Sequence, residues 1–256
     1  MRRSGGWLLA AVAVLALGAC QRRTPKPPPS PPLPLTFART TPDAKVSLTL
    51  DKAFLGQPGL QQQVYTAGVA DLTSFLVQAQ GDRAHLMAKH IVTPPYERTV
   101  SWTLTASTPR LAAAREAWFD DTGGAHPNHG SKGLIWGVVT DAEIPAAELI
   151  RPDADQGALD AILCRAVTAA KARRQGSGSP STGGACPRWA DSGFVPVAST
   201  TPGKIGGLMF LFDPYVLGSY AEGDYAVTVP QAEVSRWLEP LYAPEFAGAP
   251  AQPAPG

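Results

Sequence analysis

The sequence has few cysteines, little net charge and no apolar run long enough to cross a membrane. Three cysteines among 256 residues are too few for a scaffold built from disulfides. A formal net charge of +1 provides no basic surface for nucleic acid. The longest apolar run, residues 7–18, is shorter than the roughly 20 residues that span a bilayer. A disulfide-built miniprotein and a nucleic-acid-binding protein are therefore excluded, and residues 7–18 are not a transmembrane helix.

The remaining composition is that of a folded domain with proline-rich ends. Hydrophobic residues make up 44% of the chain, enough for one sizeable core or two small ones. The 26 prolines and 25 glycines are too many for a helical bundle. We therefore expect a soluble mixed α/β domain.

The N-terminus has the pattern of a secretory signal. Arg2 and Arg3 precede the apolar run, which ends in the string LGAC at residues 17–20. This string resembles the lipobox of bacterial lipoproteins. The resemblance implies that a signal peptide of residues 1–19 is removed and that Cys20 is acylated, with fatty acids such as palmitate. An ordinary secreted protein with an unmodified Cys20 is the alternative.

Lipidation at Cys20 would place the protein in the cell envelope, with the membrane as its first partner. In a host with two membranes, Gln21 after the cysteine favours the outer membrane, facing the periplasm, by analogy with other lipoproteins. Residues 20–40 predict a proline-rich tether, and its residues 20–34, in extended polyproline conformation, would lift the folded part about 40 Å from the lipid. Without Arg2 and Arg3 of the signal peptide, and without Arg22, Arg23 and Lys26 of the tether, the remaining net charge is near −4.

The folded region predicts alternating strands and helices. Residues 58–79 and 157–173 carry apolar residues at helical spacing, and residues 232–241 predict a short last helix. Period-two alternation or apolar runs predict strands at 46–50, 100–104, 134–139, 194–198, 208–212 and 225–229. Residues 111–119 are ambiguous, since their alanines favour helix although the apolar positions also fit a strand. Residues 175–184 predict a loop, and residues 247–256 a disordered tail.

Two local strings carry most of the family information. The first is TGGAHPN at residues 122–128, and the second is FLFDPYVLGSYAEG at residues 210–223, leading into YAVTVP at 225–230. Together they resemble the extracytoplasmic domain of anti-sigma-V factors and of PdaC-type peptidoglycan deacetylases. The resemblance covers about residues 41–241, and the long loop before Trp189 departs from the family pattern.

The resemblance implies an α+β fold, with a mixed, mainly antiparallel sheet and two or three packed helices. It also implies a strand at residues 111–120. We place the domain at residues 41–246, with an N-terminal part at about 41–95 and a C-terminal part at about 96–246. In anti-sigma-V factors the domain is a sensor that binds lysozyme, and in the deacetylases the catalysis belongs to a separate domain.

The two strings supply the candidate binding residues, which are Gly123, Gly124, His126, Tyr215 and Tyr220. Glycines in the first string suit a tight turn, and tyrosines are enriched at binding interfaces. Packing at the edge of the last strand is the alternative role for the tyrosines.

No metal site, cofactor or catalytic residue is predicted. A His-x-x-His pair at residues 126–129 lacks a third ligand at metal spacing, and no Gly-x-Ser-x-Gly elbow is present.

Cys164 and Cys186 form the even pair of thiols that remains if Cys20 is acylated. In an oxidising envelope such a pair favours a disulfide between Cys164 and Cys186. The alternative is a buried thiol at Cys164 with Cys186 exposed.

The sequence thus predicts a lipid-anchored, non-catalytic envelope module that binds a protein such as a lysozyme-like muramidase, or a peptidoglycan fragment. The absence of a transmembrane helix with a cytoplasmic part separates it from the sensors. An envelope enzyme that uses His126 on peptidoglycan, and a structural lipoprotein, are the alternatives. The oligomeric state does not follow from the sequence.

Overall fold

Two sheets organise the protein, whose computed structural model describes residues 33–175 and 186–251. The larger sheet has six strands in chain order, and only the β2–β3 pair is parallel. Its strands are β1 (Thr36–Thr40), β2 (Ala44–Leu50), β3 (Tyr96–Ser107), β4 (Leu111–Asp121), β5 (Asn128–Gly137) and β6 (Ala142–Glu143). The smaller sheet is antiparallel, with strands β7 (Phe194–Ala198), β8 (Ile205–Phe212) and β9 (Tyr225–Pro230). This mixed α+β architecture confirms the predicted fold class.

The first helix, α1 (Pro58–Ala88), packs mainly against β2 and β3. Pro58 suits the first helical position because its missing N–H has no partner there in any case. The buried face comprises Leu60, Gln61, Val64, Leu72, Phe75, Leu76 and Ala79. The helix continues nine residues beyond the predicted end at 79, and most of these residues are exposed. The predicted end was too early because the apolar periodicity reports only the part that packs on the sheet.

The second helix, α2 (Gln156–Gln175), packs against β9 of the smaller sheet. A disulfide joins Cys164 on this helix to Cys186, with the two Cα atoms 5.2 Å apart. The predicted disulfide is therefore present. It connects α2 to the segment that leads into β7, where Asp160 also accepts a 2.6 Å hydrogen bond from the Trp189 backbone N–H.

Strand β4 is buried on both faces over its first four residues. Leu111 and Ala113 belong to a core shared with the smaller sheet and α2, whereas Ala112 and Ala114 belong to a core shared with α1. Alternate side chains of a strand point to opposite faces, so one strand contributes to both cores. The helical propensity of this alanine-rich segment is overridden, as the family resemblance predicted.

The predicted last helix at 232–241 is wrong for most of its length. The helix α3 spans only Gln231–Val234, and a 3-10 turn, Ser235–Trp237, follows. Leu238 then becomes extended and bridges Ile150, while Leu241 is exposed. The apolar spacing is real, but Trp237 and Leu238 are buried by a turn rather than by a helical face.

Both predicted ends of the domain also lie elsewhere in the structure. The sheet begins with β1 at Thr36, inside the segment assigned to the tether. Residues 247–251, assigned to the disordered tail, pair with the smaller sheet's edge through backbone hydrogen bonds. The Ala247 N–H donates to Ile205, and the Ala251 N–H donates to Ala198. Within the described ranges, no helix is long and apolar enough to cross a membrane. Cys20 and the predicted signal peptide lie outside the described residues.

Candidate functional site

The first string forms the turn between β4 and β5. Asp121 is the last residue of β4, and its side chain accepts a 2.9 Å hydrogen bond from the Gly123 backbone N–H. Gly123 has a φ of 75°, in the left-handed region that favours glycine. At Gly124 a Cβ would meet only the His126 carbonyl oxygen, at 3.9 Å, so the local space does not require glycine there. Of the two predicted glycines, Gly123 shapes the turn.

The second string forms the loop between β8 and β9 and is fixed to the β4–β5 hairpin. Asp213 Oδ1 accepts a 2.8 Å hydrogen bond from the Ser131 backbone N–H at the start of β5. The Tyr220 hydroxyl donates a 2.6 Å hydrogen bond to the Pro127 carbonyl oxygen in the first string. The two strings, far apart in the sequence, are therefore in direct contact.

Three rings from the two strings and the adjoining His129 form one cluster, which we call the aromatic patch: His126, His129, Tyr215 and Tyr220. The His126 and Tyr220 rings stack, with centroids 4.1 Å apart. The centroids of Tyr215 and His129 lie 5.7 Å and 5.5 Å from that of Tyr220. The structure thus brings together His126, Tyr215 and Tyr220, three of the five predicted binding residues.

The outer edge of the aromatic patch faces solvent. Tyr215 is 66% exposed and the neighbouring Val216 is 59% exposed. Tyr215 has a φ of 73°, which is uncommon for a residue with a side chain and is held here by the surrounding loop. Such outliers are frequent at ligand-contact positions. The alternative role, packing at the strand edge, does not describe Tyr215.

Tyr225, the next tyrosine after Tyr220, has the packing role instead. It is buried, its hydroxyl donates to Glu222 Oε2 at 2.8 Å, and the Arg174 guanidinium lies 3.9 Å from its ring centroid. Burial, reinforced by the Glu222 contact, raises the pKa of the Tyr225 hydroxyl. Tyr225 therefore packs beneath the loop between β8 and β9 and is not available to contact a ligand.

Side chains of α2 also hold the loop between β8 and β9 through hydrogen bonds to its backbone. The Lys171 ammonium donates a hydrogen bond to the Leu217 carbonyl oxygen. The Arg174 guanidinium donates to the carbonyl oxygens of Glu222 and Asp224, at 2.6 and 2.8 Å. These bonds fix the backbone on both sides of Tyr220, so the aromatic patch is held in place without a ligand.

A cleft that the sequence did not predict adjoins the aromatic patch. Trp118 and Asp120, near the end of β4, border both the patch and this cleft. Asp120 forms a two-pronged ion pair with Arg98, with nitrogen–oxygen distances of 2.7 and 2.6 Å. The alternation of residues along β4, which places Glu116, Trp118 and Asp120 on one face, is the signal that could have located this cleft.

The described residues contain no group of three histidine, cysteine or acidic side chains placed to hold a metal ion. The aromatic patch offers ring faces, hydroxyl groups and imidazole nitrogens. The Tyr215 hydroxyl and His126 Nε2 are 3.4 Å apart, and His126 Nδ1 lies 2.8 Å from the Pro127 carbonyl oxygen. This arrangement is suited to contact and recognition.

The solved structures that resemble this one include two DUF3298 proteins. A member of the DUF3298 family from Bacteroides fragilis superimposes with a TM-score of 0.51 at 15% identity, covering 82% of this chain and 94% of its own. A DUF3298 family protein from Pseudomonas aeruginosa gives a TM-score of 0.50 at 14% identity, covering 86% and 99%. The chain shares the fold of these DUF3298 proteins.

At this level of identity the likeness concerns the fold alone. No protein-family model matches the sequence, and no curated protein matches it. DUF3298 is a family of unknown function, so these two structures indicate no activity. The predicted relationship to anti-sigma-V factors and PdaC-type deacetylases stays a prediction.

Proposed function

We propose that this protein is a lipid-anchored binding module of the cell envelope that holds a protein ligand, such as a lysozyme-like muramidase, through the aromatic patch. The observation that carries the proposal is the contact between the two strings, which presents Tyr215, Tyr220 and His126 on one rigid, partly exposed surface.

The construction of the aromatic patch supports protein recognition. Tyrosine provides a large apolar face and a polar tip, and it loses little conformational entropy on binding. Binding is strongest where the surface is already ordered, because the cost of ordering loops is then avoided. The hydrogen bonds from Tyr220 and Ser131 provide that order here.

Charge favours a basic ligand. The described residues carry a net charge of −4, because all 21 acidic residues lie among them and five of the 22 basic residues do not. A negative surface increases the association rate of a positively charged protein, and this effect weakens with salt. A basic muramidase is therefore a better fit than an acidic protein.

Attachment to lipid is supported by the lipobox-like string that ends at Cys20. Mass spectrometry of the protein purified from membranes tests it. We expect an N-terminal peptide that begins at Cys20 and carries the added mass of acyl chains. An unmodified peptide that contains Met1 would refute the anchor and leave the binding proposal to be judged separately.

Calorimetric titration of the protein with lysozyme tests the ligand. We expect saturable heat, and a loss of affinity of about 30-fold in Tyr215→Ala, since a central interface tyrosine contributes on the order of 2 kcal/mol. Leu241→Ala is the matched control, because Leu241 is also exposed but lies outside the aromatic patch.

Three outcomes would contradict the proposal. No heat at tens of micromolar protein would reject lysozyme as the ligand. Equal losses in Tyr215→Ala and Leu241→Ala would reject the aromatic patch as the site. Heat with soluble peptidoglycan fragments, but none with lysozyme, would show that the ligand is a glycan rather than a protein.

A further inference from the structure

A polar cleft lies between α1 and the exposed half of the larger sheet. Helix α1 covers β2 and β3, and the adjoining surface of β4 and β5 is left open. The cleft has a volume of about 590 Å³, within the range of small-molecule sites. The residues that the argument uses are Arg98, Trp102, Glu116, Trp118, Asp120 and Lys132.

Strand register places these side chains in rows across the cleft floor. Trp102 on β3 is opposite Glu116 on β4, and Glu116 is opposite Lys132 on β5. Two residues further along β4, Trp118 is opposite Gly130. Neighbouring residues in such a row lie within side-chain contact, so the cleft alternates charged groups with indole rings.

The charged groups of the cleft are already paired with one another. The Lys132 ammonium lies 3.2 Å from Glu116 Oε2, and the Arg98 guanidinium contacts Asp120 at 2.6 Å and Asp71 at 3.0 Å. The Glu116 and Asp120 side chains are only 12% and 14% exposed. Burial raises the pKa of the Glu116 carboxyl, and the Lys132 charge acts in the opposite direction.

The indole rings complete the cleft. A Cβ on Gly130 would lie 2.6 Å from Trp118 Cζ2, so the absence of a side chain there lets the Trp118 ring lie over β5. Trp102 is buried, and its Nε1–H has no acceptor among the described residues.

We propose that this cleft is a second binding site, distinct from the aromatic patch, and that it takes a short neutral oligosaccharide. A pyranose ring has an apolar face that matches an indole ring and hydroxyl groups that match paired carboxylates and cations. Because Arg98 and Lys132 are already neutralised, a ligand needs no charge of its own to satisfy them.

The balance of charge argues against an anionic ligand. Four carboxylates line the cleft and only two cations do, and the acidic residues are Asp71, Glu116, Asp120 and Glu143. An added anion would meet this excess in a partly desolvated site, where repulsion is poorly screened. A neutral sugar avoids that repulsion, and its hydroxyl groups can donate hydrogen bonds to the carboxylates and accept them from the cations.

Titration of the full chain with the tetramer of N-acetylglucosamine, followed by tryptophan fluorescence and calorimetry, tests this site. We expect saturable binding with a change in fluorescence, and weaker binding of tetragalacturonate, an anionic sugar of the same length. Lys132→Ala should weaken binding about tenfold, the effect of one hydrogen bond to a charged group. Lys45→Ala is the matched control, since Lys45 lies exposed on β2 outside the cleft.

Two further variants keep the result interpretable. Trp118→Phe retains an aromatic ring and should reduce both the affinity and the fluorescence change, which covers the case in which Lys132→Ala fails to fold. Loss of sugar binding in Tyr215→Ala, with none in Lys132→Ala, would place the sugar on the aromatic patch and overturn the proposal.

The proposal is overturned by no saturable binding of the neutral tetramer at about 10 mM. It is also overturned if tetragalacturonate binds more tightly, or if Lys132→Ala and Lys45→Ala have equal affinities.

Discussion

Gly130 joins the cleft to the aromatic patch, and adding one methyl group there should disturb both. In the structure a Cβ at this position would lie 2.6 Å from Trp118 Cζ2 and 2.7 Å from Asp213 Oδ2. Real Cβ contacts of this length do not occur, so the indole and the carboxylate must both move. Asp213 is the residue that fixes the second string to Ser131.

The cost follows from two opposing effects. Overpacking a filled site costs about 1–3 kcal/mol, whereas replacing glycine in a strand by alanine gains about 0.5–1 kcal/mol. We therefore expect Gly130→Ala to lower the free energy of unfolding by about 1 kcal/mol, and by roughly 2.5 kcal/mol at most. Gly81→Ala is the matched control, because Gly81 lies in α1 with no heavy atom within 4 Å of its added Cβ. That change should raise stability by up to about 1 kcal/mol.

Urea unfolding followed by circular dichroism measures both variants under the same conditions. The same chemical change should then shift the free energy of unfolding in opposite directions. If Gly130→Ala is as stable as the natural chain, or more stable, the close approach of Trp118 and Asp213 to this strand is not a constraint, and the reasoning for the cleft floor fails.

Two further changes test the disulfide and the buried carboxyl. Replacing Cys164 and Cys186 by alanine removes a link between positions 22 residues apart, and should lower the free energy of unfolding in urea by about 3 kcal/mol; equal stability with and without the link would contradict this. The pKa of Glu116 is raised above its ordinary value of 4.5, so the folded protein favours the protonated carboxyl. This contribution to the free energy of unfolding is fully present below pH 4.5 and is lost as the pH rises through the raised pKa. Glu116→Gln should therefore lose less unfolding free energy than the natural chain as the pH rises from 4.5, and parallel pH profiles would refute this.

Apolar periodicity predicted the elements that present one face to a core. Helix α2 and the strands β7, β8 and β9 fall close to their predicted positions. Strand β9 alternates between buried and exposed residues, whereas β7 and β8 are apolar runs that are buried over most of their length. Strand β4 is different. Its alanines are small enough for both faces to be covered, so burial alone, and not alternation, determines the strand.

The ends of the domain were harder to predict, because proline-rich and glycine-rich composition suggests disorder even where the backbone is paired. Residues 247–251 (AGAPA) have only small side chains and a proline, with no apolar periodicity, yet Ala247 and Ala251 donate backbone hydrogen bonds to the smaller sheet. Backbone pairing of this kind leaves no side-chain signature in the sequence.

The candidate residues in the two strings were found through the family resemblance, and their contact is a property of the fold. Nothing local to His126 indicates that Tyr220 stacks on it, since the two come from different loops. The cleft residues were missed for a related reason. Arg98, Asp120 and Lys132 become neighbours only through the register of three strands.

The buried half of β4 explains why both proposed sites can be rigid. Ala112 and Ala114 are fixed beneath α1, and the strand then runs uninterrupted to Trp118 and Asp120. At about 3.4 Å per residue, Asp120 lies roughly 20 Å along the strand from Ala114, still within the hydrogen-bonded ladder with β3 and β5. The core therefore sets the position of the residues that border the cleft and the aromatic patch. A ligand would meet side chains whose backbone is already ordered, and more of its contact energy would appear as affinity.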